Sequence, residues 1–128
     1  MSYYFNKIIN CSFQEAIDKA TNELKKEGFG IITEINVTDT FKKKLDVDFR
    51  NYRILGACSP KHAYRAMLSE DKIGTMLPCN VIVQQIESNK VEVAAVDPVE
   101  SMKAVNNYSL GEVANEVRSA LKRVIEAL

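Results

Sequence analysis

The sequence predicts an α+β domain: a mostly antiparallel sheet with helices on one of its faces. Three observations carry this. NVIVQQIE (residues 80–87) and KVEVAAV (90–96) are separated by Ser88 and Asn89 alone, the length of a β-hairpin. Both strands alternate polar with apolar residues, as strands covered on one side do, whereas a parallel sheet needs fuller apolar runs. Two pairs at capping-box spacing, Ser12/Glu15 and Ser109/Glu112, each open an apolar stripe of helical period.

The elements follow in order. Residues 3–9 read as a short strand. After Ser12, the residues Phe13, Ala16, Ile17, Ala20 and Leu24 share one helical face, and Gly28 stands where a left-handed cap costs least. GFGIITEINV then alternates, with Phe29, Ile31, Thr33, Ile35 and Val37 on one side, the pattern of a half-buried strand. Residues 39–45 suit a short extra helix, with Asp39 near its start and Phe41 and Leu45 four apart. A third strand runs from about Tyr52 to Ala57. Ser59 as N-cap and Pro60 at the first helical position open a helix to about Leu68. Gly74 and Pro78 punctuate the chain before the hairpin, and Asp97-Pro98 closes it. Leu110, Val113, Ala114, Val117, Leu121, Val124 and Leu128 give the last helix its stripe. The order is thus β-α-β-β-α-β-β-α with one short extra helix.

Bulk properties restrict the function. A chain of 128 residues has the length of one domain, 1–128. Its seventeen Lys and Arg balance seventeen Asp and Glu, so the charge excess that phosphate-backbone binding requires is missing, and no nucleic-acid partner is expected. No apolar run reaches the roughly 18 residues of a membrane span. The start, MSYYFNKIINCSF, has no signal-peptide pattern, so the expected compartment is the cytoplasm. Cysteines at 11, 58 and 79 are odd in number and far apart, which fits reduced thiols. Lys42-Lys43-Lys44 reads as a solvated helix face, and Asp46-x-Asp48 lacks the rest of a calcium loop.

The blocks GFGIITEINV, KKKLDVDFRNYRILGACSPKHAYRA, LPCNVIV and VAAVDP together resemble the domain of unknown function 302 family, over nearly the whole chain. The resemblance implies a fold like that of the TATA-box-binding protein, a curved antiparallel sheet with two main helices, and a homodimer. It implies no activity, and likeness to a DNA-binding fold does not transfer DNA binding. Gly28, Cys58, Pro60, Pro78 and Cys79 match the family's pattern. Asn80 stands where the family more often carries a basic residue, which counts against an anion site there.

Cys58 and its surroundings are the place to look for chemistry. The thiol directly precedes a helix N-terminus, whose dipole favours a thiolate, and His62, the single histidine, lies one turn on. Cys79 begins the next strand, and antiparallel pairing of the two strands brings both cysteines to one sheet end. Ligand-binding candidates are therefore Cys58, His62, Cys79 and Asn80. Three readings follow. Cys58, His62 and Cys79 form a small-ligand or soft-metal site, the donors suiting zinc or cuprous copper. Alternatively Cys58 is a redox nucleophile and Cys79 its resolving thiol, without a Cys-x-x-Cys motif. Or the cysteines are inert packing groups in a structural or interaction protein. No P-loop, dinucleotide or serine-hydrolase motif is present, and His62 has no paired carboxylate in sequence, so the chain leans away from an enzyme.

Overall fold

A computed structural model describes residues 2–128. Five strands, β1 (Tyr4–Ile9), β2 (Gly30–Asn36), β3 (Tyr52–Cys58), β4 (Cys79–Glu87) and β5 (Lys90–Val96), form one sheet in the order β1-β5-β4-β3-β2, every neighbour antiparallel. The helices are α1 (Phe13–Lys26), α2 (Val37–Leu45), α3 (Pro60–Ser69), the four-residue α4 (Pro98–Ser101) and α5 (Ser109–Glu126), with a 3-10 helix at Asp71–Met76. The predicted α+β class and element order hold; the 3-10 helix and α4 are additions.

Strand alternation divides the sheet. Leu55 and Ala57 of β3, Cys79, Val81 and Val83 of β4, and Val91, Val93 and Ala95 of β5 are all buried. They pair in register, Leu55 with Val81, Ala57 with Cys79 and Val83 with Val93. Against this face lie Ala16, Ile17, Ala20 and Leu24 of α1 and the full apolar stripe of α5, in one continuous core. The opposite face keeps Ile54, Ile82 and Ala94 side by side across β3, β4 and β5, half-buried and uncovered.

Local signals behave unequally. The Ser12 hydroxyl accepts from the Glu15 N–H at 3.2 Å, and the Glu15 carboxylate accepts from the Ser12 N–H, so the first capping box forms. Gly28 sits at φ +86°, the left-handed cap expected of it. The second box does not form. Asn107 accepts from both the Ser109 N–H and the Ser109 hydroxyl, and α5 starts without a serine cap. The helix begins one residue earlier than the box requires: Tyr108 holds the N-cap position, and Ser109, already the first helical residue, turns its hydroxyl back to donate to Asn107. The hairpin turns at Ser88-Asn89, with only Asn89 at positive φ, and the β4–β5 register shifts between Gln85 and Glu87.

β2 departs most from its expected form. It is an exposed edge strand rather than a half-buried one. A bulge at Ile32 breaks its alternation: Ile31 pairs with Ala57, but Thr33 pairs with Gly56. Phe29 and Ile31 therefore lie on the helix side, while Thr33 and Ile35 fall on the other. α2 buries nothing; Phe41 packs edge-on to Phe49 at 5.2 Å, and Leu45 is exposed. Asn36 rather than Asp39 caps α2, accepting from the Asp39 N–H at 3.0 Å. The lysine run is neutralised locally, Lys42 by Asp46 and Asp48 and Lys43 by Asp39.

Asp97 secures the end of β5. Its carboxylate, almost wholly buried, accepts from the Val99 N–H at 3.0 Å and from Arg118 Nε at 3.0 Å. One side chain thus caps α4 and ties it to α5, and both helices help to wall the cavity described next.

Candidate functional site

The ends of β3 and β4, with α3, the 3-10 helix, α4 and α5, border a half-open cavity of about 260 Å³. Its lining is almost entirely apolar, including Ala66, Met67, Leu77, Met102, Val113 and Val117. The polar side chains reaching it are few: Cys58, Ser59, His62 and Cys79. The antiparallel pairing of β3 with β4 makes this site, because it sets the last residues of one strand beside the first of the other.

Ser59 and His62 form its polar corner. Ser59 stands at the N-cap position of α3, but its hydroxyl makes no bond to a helix amide. Instead Ser59 Oγ lies 2.7 Å from His62 Nδ1, and the two residues are 5% and 9% exposed. On the other side of the ring, His62 Nε2 lies 3.4 Å from Glu116 Oε1 of α5. Glu116 in turn accepts two bonds from Arg65, at 3.1 and 2.9 Å. The Arg65 guanidinium, with a smaller contribution from His62, holds the Glu116 carboxyl below the usual carboxylate range. With an ionised carboxylate at Nε2, the ring proton belongs on that nitrogen, and Nδ1 accepts from the Ser59 hydroxyl.

Residues 5–128 match the family described as domain of unknown function DUF302. The chain belongs to that family. A second DUF302 structure, an uncharacterized conserved protein from Bacillus stearothermophilus, is 25% identical and superposes with a TM-score of 0.89 over 98% of each chain. Comparison with curated proteins gives no match.

Of the four candidate residues in this DUF302 chain, the fold gathers Cys58, His62 and Cys79 around the cavity and leaves Asn80 out. Asn80 pairs with Gly56 on the uncovered face, where it lines a shallow groove with Tyr3, Tyr4 and Tyr52. Alternation along β4 puts it on the opposite face of the sheet from Cys79. Cys79 is 7% exposed, and burial, with a further contribution from Cys58, pushes its thiol up to about 11. It is a neutral wall of the cavity at physiological pH. His62 turns to Ser59 and Glu116 rather than to sulfur, and among the described residues no three of His, Cys, Asp and Glu are grouped to hold a metal ion. Sequence reasoning missed Glu116, which comes from the far helix; its one local sign was its place beside the apolar stripe of α5.

Proposed function

We propose that this DUF302 protein is a binding module for a small, mostly apolar molecule carrying one hydrogen-bonding group. The cavity carries this reading: an apolar chamber with a single polar corner orients a ligand by that corner and holds it by burial. Its volume of about 260 Å³ lies just under the range of ordinary ligand pockets, roughly 300–1,000 Å³, and suits a small organic molecule. The Ser59–His62 pair and the Cys58 thiol receive the polar group. An organic ligand fits this donor set better than zinc or copper does, since both ring nitrogens of His62 already have protein partners. The high pKa of Cys79 counts against its acting as a resolving thiol.

The test is displacement of a fluorescent apolar probe by medium-chain carboxylic acids and alcohols. Competition by the medium-chain compounds is expected, with a loss of affinity of about tenfold in Ala66→Phe and Ala114→Leu, which fill the chamber. Wild-type protein that takes up neither probe nor competitor would sink the reading. Metal analysis of protein purified without chelator tests the soft-metal version beside it.

Three companion inferences complete the reading. The free cysteines fit a reducing compartment, the cytoplasm. The uncovered row Ile54, Ile82 and Ala94, extended by Ile35 of β2, suits packing against a second copy, and sedimentation velocity reads the resulting mass. One antiparallel sheet with two long helices against it supports a fold of the TATA-box-binding-protein type.

A further inference from the structure

Resting on that reading of the cavity, we infer that Ser59, His62 and Glu116 are a nucleophile, its base and an orienting carboxylate that hydrolyse acyl esters. The acyl chain occupies the cavity and the ester carbonyl lies at its polar corner.

The geometry meets the requirements one at a time. A serine hydroxyl becomes nucleophilic when a neutral imidazole nitrogen accepts its proton, and Ser59 Oγ lies 2.7 Å from His62 Nδ1. The base must be held in the right tautomer and its cation stabilised, and Glu116 Oε1 lies 3.4 Å from Nε2. Arg65 keeps that carboxylate ionised and in place from α3. Serine and histidine stand three residues apart at a helix start, the offset at which acyl-transfer enzymes with a Ser-x-x-Lys motif place the nucleophile and the lysine beside it. The His62 and Ala63 amides bond the Ser59 carbonyl, and Pro60 has none. The Lys61 N–H, at the second helical position, has no intrahelical acceptor and is the first-turn donor for an oxyanion. An N-cap serine serving only the helix would bond an amide, which Ser59 does not.

The reaction balances without a cofactor. Ser59 Oγ bonds to the acyl carbon while its proton passes to His62 Nδ1 and the carbonyl electron pair moves onto oxygen. Collapse expels the alcohol, which takes the proton from Nδ1 and leaves an acyl-serine. Water then attacks that ester, giving its proton to Nδ1. Collapse expels Ser59 Oγ, which recovers the proton, and a carboxylic acid departs.

The test uses the full chain with p-nitrophenyl acetate, hexanoate and dodecanoate, and with a fluorophosphonate carrying a hexyl chain. The cavity volume predicts fastest release from the hexanoate and a single adduct that peptide mapping places on Ser59. Ser59→Ala should abolish the adduct and lower turnover by at least about 100-fold, and His62→Ala should do the same by removing the base. Either variant, if folded by circular dichroism, decides the matter. Glu116 is a positioning residue, so Glu116→Gln should lower kcat with little change in KM, and Glu116→Asp should recover part of the rate. No adduct on Ser59, with turnover equal in wild type and Ser59→Ala, overturns the catalytic inference. Probe binding without an adduct leaves the binding module standing and removes only the catalysis. An adduct without probe binding keeps the catalysis and removes the cavity as ligand site.

Discussion

Gly56 is the position where one added methyl has the most consequence. A Cβ built there would stand 2.7 Å from Pro78 Cγ and closer still to Thr33 Oγ1, well short of van der Waals contact distance for both. Gly56 is not among the residues at positive φ, so Ala is compatible with the backbone and the whole effect is steric. In open space, Gly→Ala in a strand would stabilise by about 0.4–1 kcal/mol through the unfolded chain. Here Pro78 must retreat by more than half an ångström and Thr33 must leave its rotamer, so overpacking of about 2–3 kcal/mol is expected instead. The two cases differ in sign. Urea unfolding measures it: with a slope of about 1–3 kcal/mol per M, Gly56→Ala should lower the midpoint by about 0.7–3 M. Thr33→Ala removes the closest obstacle, so the double variant should recover part of the loss, with a coupling energy of about 1–2 kcal/mol. A Gly56→Ala protein as stable as wild type would refute the bulge geometry that lays Thr33 across Gly56.

Two titrations test the site's electrostatics. Cys79 has its thiol raised from 9.0 in the free state to about 11, so its contribution is present in full below pH 9 and lost as pH rises from 9 to 11. That span amounts to about 3 kcal/mol; Cys79→Ala should flatten the alkaline fall of stability, and alkylation of Cys79 should accelerate only toward pH 11. Glu116 titrates below the usual carboxylate range because Arg65 and His62 face it, so its contribution is present above the free-state pKa and lost as pH falls through the lowered one. Carboxyl-carbon NMR should show Arg65→Ala moving that titration upward; an unmoved titration would exclude Arg65 as its cause.

What the sequence discloses and what it hides divide along physical lines. The α1 and α5 stripes, the Ser12/Glu15 box and the Gly28 cap were legible because each depends on residues within one or two turns. The gathering of Cys58 and Cys79 was legible too, since it needs only antiparallel pairing of β3 and β4. The β2 bulge was not, because it goes with the way Thr33 lies against Gly56 of β3, beside Pro78, and both of these are far from β2 in sequence. Asn80 looked like a neighbour of Cys79 in sequence, yet alternation along β4 places consecutive residues on opposite faces. Ser59 stands at the N-cap position its place before Pro60 predicts, but its hydroxyl pairs with His62, three residues on, instead of with a helix amide. The Ser109/Glu112 spacing misleads because α5 starts one residue early, with Tyr108 at the N-cap position, and boundaries are what local spacing fixes least.

The bulge at Ile32 has a meaning for the chain's neighbours in solution. β2 ends the sheet, and an edge strand presents unpaired amides and carbonyls on which a foreign strand can add. Ile32 and Ile35 are exposed along that edge, which makes it an attractive template for self-association. An extra residue twists the strand and interrupts the even spacing of its outward hydrogen-bonding groups, so an incoming strand finds no matching ladder. The irregularity that spoils the sequence pattern also guards the protein against aggregation.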